Sequence, residues 1–177
     1  MRTIIVSFMF LAAILGLSGS ALALDKENTL YIDLKDGRVV IEMLPKVAPK
    51  HVEQIKKLAR EGKYDGLVFH RVIDGFMAQT GDPQGTGRGG MGSLLQAEFS
   101  KEPFKRGTVG MARTNDPNSA QSQFFICFAD ASNLNGQYTV WGKVTSGMEF
   151  VDKIKKGEPP ANPDKMIKVR VAADVKE

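Results

Sequence analysis

The sequence predicts a single mainly β domain: about eight short antiparallel strands rolled into a barrel, with two helices covering its openings. Three observations carry this. Tight turns at Asp36-Gly37, Asp74-Gly75 and Leu134-Asn135-Gly136-Gln137 divide short alternating or apolar runs, as adjacent antiparallel strands require. Helical spacing of apolar residues is confined to two segments. No repeat, linker or low-complexity stretch splits the chain.

Taken in order, Leu30 to Leu34 and Val39 to Leu44 alternate apolar and polar residues, a hairpin with Ile32, Leu34, Val39 and Ile41 facing inward. Pro45 closes it. Pro49 then suits the first turn of a helix, where a missing amide hydrogen costs nothing. Val52, Ile55, Leu58 and Ala59 form its buried stripe, and Gly62 caps it. His51 falls off that stripe and is expected in solvent. A second hairpin spans Phe69 to Asp82. Gly107 to Ala112 and Gln123 to Phe128 read as buried strands, and Tyr138 to Val144 as another. Met148, Val151 and Ile154 mark a short helix ending near Gly157, the stiff stretch with Pro159, Pro160 and Pro163 follows, and Met166 to Val171 is the last strand.

Residues 1–23 stand apart. Arg2 precedes an apolar run from Ile4 to Leu17, and Ala21-Leu22-Ala23 offers the small residues of a cleavage site. The strongly apolar part is shorter than the roughly 20 residues of a membrane span, so a signal peptide cleaved near Ala23 is expected rather than a stable anchor. The domain is then 24–177, placed in the periplasm of a Gram-negative cell or secreted. Its net charge falls from +4 to about +3, too small and too scattered along the chain to argue for nucleic acid, and no nucleic-acid partner is expected. A single cysteine, Cys127, lies inside an apolar run and permits no internal disulfide. A thiol nucleophile needs a neighbouring base, and the chain has only His51 and His70 to offer.

Two motifs carry chemistry. Gly85-Thr86-Gly87-Arg88-Gly89-Gly90 formally fits a dinucleotide fingerprint, but neither a preceding parallel strand nor a long helix flanks it, so a loop framing a groove is expected instead. In the hairpin Phe69-His70-Arg71-Val72-Ile73-Asp74-Gly75-Phe76-Met77-Ala78-Gln79-Thr80-Gly81-Asp82, Arg71 and Gln79 sit among large apolar side chains. A barrel core needs no arginine there. A site that presents one guanidinium to a mostly apolar ligand does.

That hairpin resembles the cyclophilin signature. Ser122-Gln123-Phe124-Phe125-Ile126 and Leu134-Asn135-Gly136-x-Tyr138-x-Val140-Trp141-Gly142 are similar to the second and third motifs of the same family, in the same order, and the resemblance runs from Thr29 to Val171. It implies a closed eight-stranded antiparallel barrel with a helix over each end, and peptidyl-prolyl cis–trans isomerase activity on X-Pro bonds of polypeptide substrates, here exported proteins assisted in folding. By motif position, Arg71, Gln79 and Phe125 would be catalytic. Phe76, Met77 and Leu134 would hold the proline ring with Phe125, while His70, Arg113 and Tyr138 would line the groove. No metal or cofactor is implied, because rotation about an amide makes and breaks no covalent bond. A monomer is expected, since a barrel leaves few exposed strand edges. The segment from Arg113 to Gln121 is one residue longer than in animal members. Asn133 stands where many members carry tryptophan, so binding of cyclosporin is expected to be weakened. Two rival readings are a peptide-binding module without turnover and a hydrolase using Ser122 or Cys127 with His70.

Overall fold

The computed structural model describes residues 25–176. The signal peptide and cleavage site expected from the sequence lie outside the described residues. Among the described residues, no helix is long and apolar enough to cross a membrane. The strands are β1 (Thr29–Leu34), β2 (Gly37–Met43), β3 (Arg71–Ile73), β4 (Met77–Thr80), β5 (Thr108–Met111), β6 (Phe124–Cys127), β7 (Val140–Ser146) and β8 (Lys168–Val171). The helices are α1 (Pro49–Arg60) and α2 (Met148–Val151).

All eight strands join one sheet in the order β3-β4-β6-β5-β7-β2-β1-β8, every neighbour antiparallel. Register shifts between Val40 and Ile41 and between Val109 and Gly110 bend the middle strands, and the sheet curls. Its curl stops short of the closed barrel expected from the resemblance, because β3 and β8 do not pair. The segment 157–167 bridges them. Val72 and Gly157 exchange two main-chain hydrogen bonds of 2.8 Å, Phe69 N–H donates to Asp164 O at 2.9 Å, and Gly66 N–H and Leu67 O bind Met166 at 2.7 and 2.9 Å. This seam is loop, not strand, which is why no sequence periodicity marks it.

Alternate residues on the concave face make the core. Leu30, Ile32, Val39, Ile41, Val72, Ala78, Val109, Phe124, Ile126, Val169 and Val171 pack in one cluster with Val52, Ile55, Leu58 and Ala59 of α1. The helix stripe and the first hairpin thus bury as their spacing predicts. The first helical turn takes its cap from a distance, since Ala48 cannot supply one. The Glu98 carboxylate accepts from the N–H groups of Lys50 and His51, both at 3.1 Å. His51 corrects the expectation of a solvated residue: it is fully buried, with Nδ1 2.7 Å from Glu98 Oε2. Burial pushes its pKa below the usual 6.5 despite that carboxylate. Cys127 is buried, and burial raises its thiol to about 12, so it is a structural residue. No helix follows the glycine-rich stretch, in keeping with its reading as a loop.

Candidate functional site

The convex side of the same strands is a second surface. Register places Arg71 opposite Gln79, Gln79 opposite Phe125, and Phe125 opposite Gly110, so one lateral row crosses β3, β4, β6 and β5. Residues directly opposite one another share a face of the sheet, so the Arg71, Gln79 and Phe125 side chains and the bare Gly110 Cα lie on one face. The next row, Ile73–Met77–Cys127, flanks it. Arg71, Gln79 and Phe125, eight and then forty-six positions apart in sequence, become neighbours through pairing alone.

Gly110 has a specific part in this row. A methyl group built on it would fall 2.5 Å from Phe104 Cε1 and 2.7 Å from Phe125 Cζ. The missing side chain lets Phe104 stack on Phe125 at 5.7 Å, and the Tyr138 ring meets Phe125 edge-on at 5.9 Å. Arg113 lies 4.4 Å over Tyr138. Its Nε and Nη2 donate to Gln137 O, at 3.1 and 2.9 Å, and its Nη1 to Thr114 O at 2.8 Å. The result is a cavity of about 210 Å³ lined by Arg71, Phe76, Met77, Gln79, Ala112, Arg113, Phe125, Leu134 and Tyr138. Met77, Phe125 and Leu134 are buried and form its apolar floor. A polar cavity of about 310 Å³ adjoins it, sharing Gln79, Ala112 and Arg113 and walled by Gly87, Arg88 and Gly89 of the glycine loop. That loop does frame a groove.

Polar side chains fix the row's open end. Arg71 donates from Nε to Glu158 Oε2 at 2.7 Å and from Nη1 to Gln79 Oε1 at 3.4 Å. Gln79 Nε2 donates to Gln123 Oε1 at 2.9 Å, and Gln123 Nε2 donates to the carbonyls of Gly87 and Gly89 at 3.0 and 2.7 Å. The loop holding those carbonyls is wound about Asp82, whose carboxylate accepts from the N–H groups of Gln84, Thr86, Gly87 and Gly89. Burial alone would raise the Asp82 pKa, but these donors outweigh it and leave the carboxyl below 3.8.

The structure brings together eight of the nine residues singled out in the sequence. His70 is the exception and a correction. It is 5% exposed, stands behind Gly87 rather than in the groove, and its pKa is lowered by burial against the Asp82 charge. Ser122 is fully buried, with Oγ donating to Gly81 O at 2.7 Å and accepting from Met91 N–H at 3.0 Å, so it is no nucleophile awaiting a base. Sequence reasoning missed Glu158, Gly110 and Phe104. It also passed over Gln123 as a positioning group, although an amide heading a buried aromatic run was a legible signal.

Residues 29–172 match the family model described as cyclophilin type peptidyl-prolyl cis-trans isomerase/CLD. A probable peptidyl-prolyl cis-trans isomerase of Brucella suis is 55% identical across 99% of this chain and 98% of its own length. Peptidyl-prolyl cis-trans isomerase B of Bacillus subtilis is 44% identical, covering 74% of this chain and 93% of its own. Among solved structures, a cyclophilin of Hirschia baltica superposes with a TM-score of 0.80 at 31% identity, over 86% of this chain and 77% of that one. A cyclophilin type isomerase of Cryptosporidium parvum, crystallised in the presence of the dipeptide Ala-Pro, gives 0.75 at 28% identity over 81% and 98%.

Proposed function

This chain belongs to the cyclophilin-type peptidyl-prolyl cis–trans isomerases, and we propose that Arg71 carries its reaction, with Gln79 and Phe125 beside it. The activity is isomerisation of X-Pro bonds. Its barrier is loss of amide resonance, about 18–20 kcal/mol, and uncatalysed exchange takes roughly tens to hundreds of seconds. Ordinary turnover of about 10–1000 per second needs roughly 4–7 kcal/mol of selective stabilisation.

Three features supply it in this reading. As the C–N bond twists, the proline nitrogen becomes pyramidal and gains a lone pair, which an Arg71 N–H binds in the twisted state alone. Phe76, Met77, Phe125 and Leu134 grip the ring, so the twist falls on the other side of the bond. A peptide seated against these walls would displace water from the cavity and strengthen the guanidinium's field. Gln79 binds near the substrate carbonyl and steadies Arg71. Arg113 and Tyr138 form the outer wall. The single observation carrying these roles is the lateral row that sets a guanidinium and an amide beside the aromatic floor of one cavity.

Exchange NMR on a short X-Pro peptide tests the assignment. Arg71→Ala is expected to lose about a hundredfold or more in rate while still binding the peptide. If the native protein binds without accelerating exchange, it is a binding module on this fold.

The clients in this proposal are exported polypeptides, met in the periplasm by a monomer. The support is the leader-like run Ile4 to Leu17 and Ala21-Leu22-Ala23. Amino-terminal sequencing of the protein recovered from the periplasm is expected to begin at Leu24, and a chain that keeps Met1 would sink this part. Cyclosporin is expected to bind weakly, because Asn133, next in the chain to the cavity residue Leu134, is an exposed amide rather than an aromatic ring. Asn133→Trp should lower its inhibition constant with little change in turnover.

A further inference from the structure

We infer that Glu158 is a positioning residue for the isomerisation: its carboxylate holds the Arg71 guanidinium in the orientation that the twisting bond needs. The inference rests on the reading of Arg71 given above. Main-chain register delivers the carboxylate to that spot. Gly157 pairs with Val72 through two hydrogen bonds of 2.8 Å, so the next residue after Gly157 arrives beside the residue before Val72. The backbone there has little freedom. Gly157 has φ +145°, a methyl group on it would fall 2.7 Å from Pro160 Cα, and Pro159 and Pro160 follow with fixed φ.

Arg71 has five N–H groups. Nε is held by Glu158 at 2.7 Å and Nη1 by Gln79 at 3.4 Å, while Nη2 has no protein acceptor among the described residues. The short contact is therefore the one to Glu158. Without it, a long and mobile side chain depends on a single weak hydrogen bond, and fewer of its rotamers present Nη2 to the substrate. The pair is too exposed to matter much for the fold, since the Arg71 and Glu158 side chains are 42% and 51% accessible. Its consequence falls on orientation instead.

The test is saturation kinetics by exchange NMR on a short X-Pro peptide, with thermal unfolding alongside. Glu158→Ala is expected to lower kcat about five- to tenfold, with KM changed less than about twofold and the unfolding midpoint within about 3 °C of native. Glu158→Gln keeps an acceptor and should fall between. In an Arg71→Ala background, Glu158→Ala should change nothing further, because it acts through that guanidinium. An unchanged or raised kcat in Glu158→Ala overturns the inference, as does an equal loss in the Arg71→Ala background. Full activity in Arg71→Ala alone would remove the parent reading first, and is visible separately.

Discussion

Two faces of the same four strands do different work. On the concave face, Val72, Ala78, Ile126 and Val109 are matched across β3, β4, β6 and β5, all apolar and all buried. On the convex face, one residue along, the row is Arg71, Gln79, Phe125 and Gly110. The first row would keep its role under many volume-conserving substitutions. The second mixes charge, amide, aromatic ring and no side chain at all, which packing alone would never select. On the proposed assignment, adjacent positions separate stability from activity.

Phe124 and Phe125 give the sharpest test of that separation. Phe124→Ala empties the core between Tyr64 and Trp141, whose rings lie 5.6 and 5.4 Å from it, and should cost about 3–5 kcal/mol in urea unfolding with little change in rate per folded molecule. Phe125→Ala opens onto the groove and should cost less stability but at least about tenfold in kcat/KM, since the ring's floor is gone. Equal effects from the two would erase the distinction between faces.

Gly110→Ala comes next. The added methyl cannot coexist with the stacked Phe104 and Phe125, and is expected to cost about 1–3 kcal/mol and to depress activity by displacing Phe125. A crystal structure of the variant would show the rings parted.

Acid should destabilise the fold in two steps. His51 and His70 are both buried with pKa values lowered from 6.5, chiefly by desolvation. The unfolded chain then binds protons at a higher pH than the folded one. Stability is fully present above about 6.5 and declines as pH falls below it, by up to about 1.4 kcal/mol per pH unit for each histidine. Asp82 and Glu98, both held below their ordinary values, add a further loss below about pH 4. Urea midpoints at pH 7.5, 5.5, 4 and 2.5 measure both steps. Arg113→Ala is the mildest change: removing a cation stacked on Tyr138 should raise KM about two- to fivefold and leave kcat alone.

The concave face was the legible one. Period-two spacing gave Ile32, Leu34, Val39 and Ile41, and helical spacing gave Val52, Ile55, Leu58 and Ala59, because burial on one face repeats locally. The convex site was legible through its motifs for Arg71, Gln79 and Phe125. What stayed hidden depends on chain segments meeting from afar. Glu98 meets His51 across 47 positions, and Glu158 meets Arg71 across 87. His70 sits inside the hairpin motif, yet the covering Gly87 belongs to a loop whose path follows from Asp82, not from any period.

The seam between β3 and β8 makes the molecule a rolled strip rather than a hoop. Its overlap is fastened by Gly66, Leu67, Phe69 and Val72 on one side and by Gly157, Asp164 and Met166 on the other. A hoop must break a full strand pair to loosen, whereas a strip can slacken at the overlap with every ladder intact. Slackening there moves Gly157 relative to Val72, and so shifts the carboxylate that holds Arg71. The fastening of the strip and the placing of Arg71 thus share one bridge, and amide hydrogen exchange at Val72 and Gly157 is a gauge of how firmly it holds.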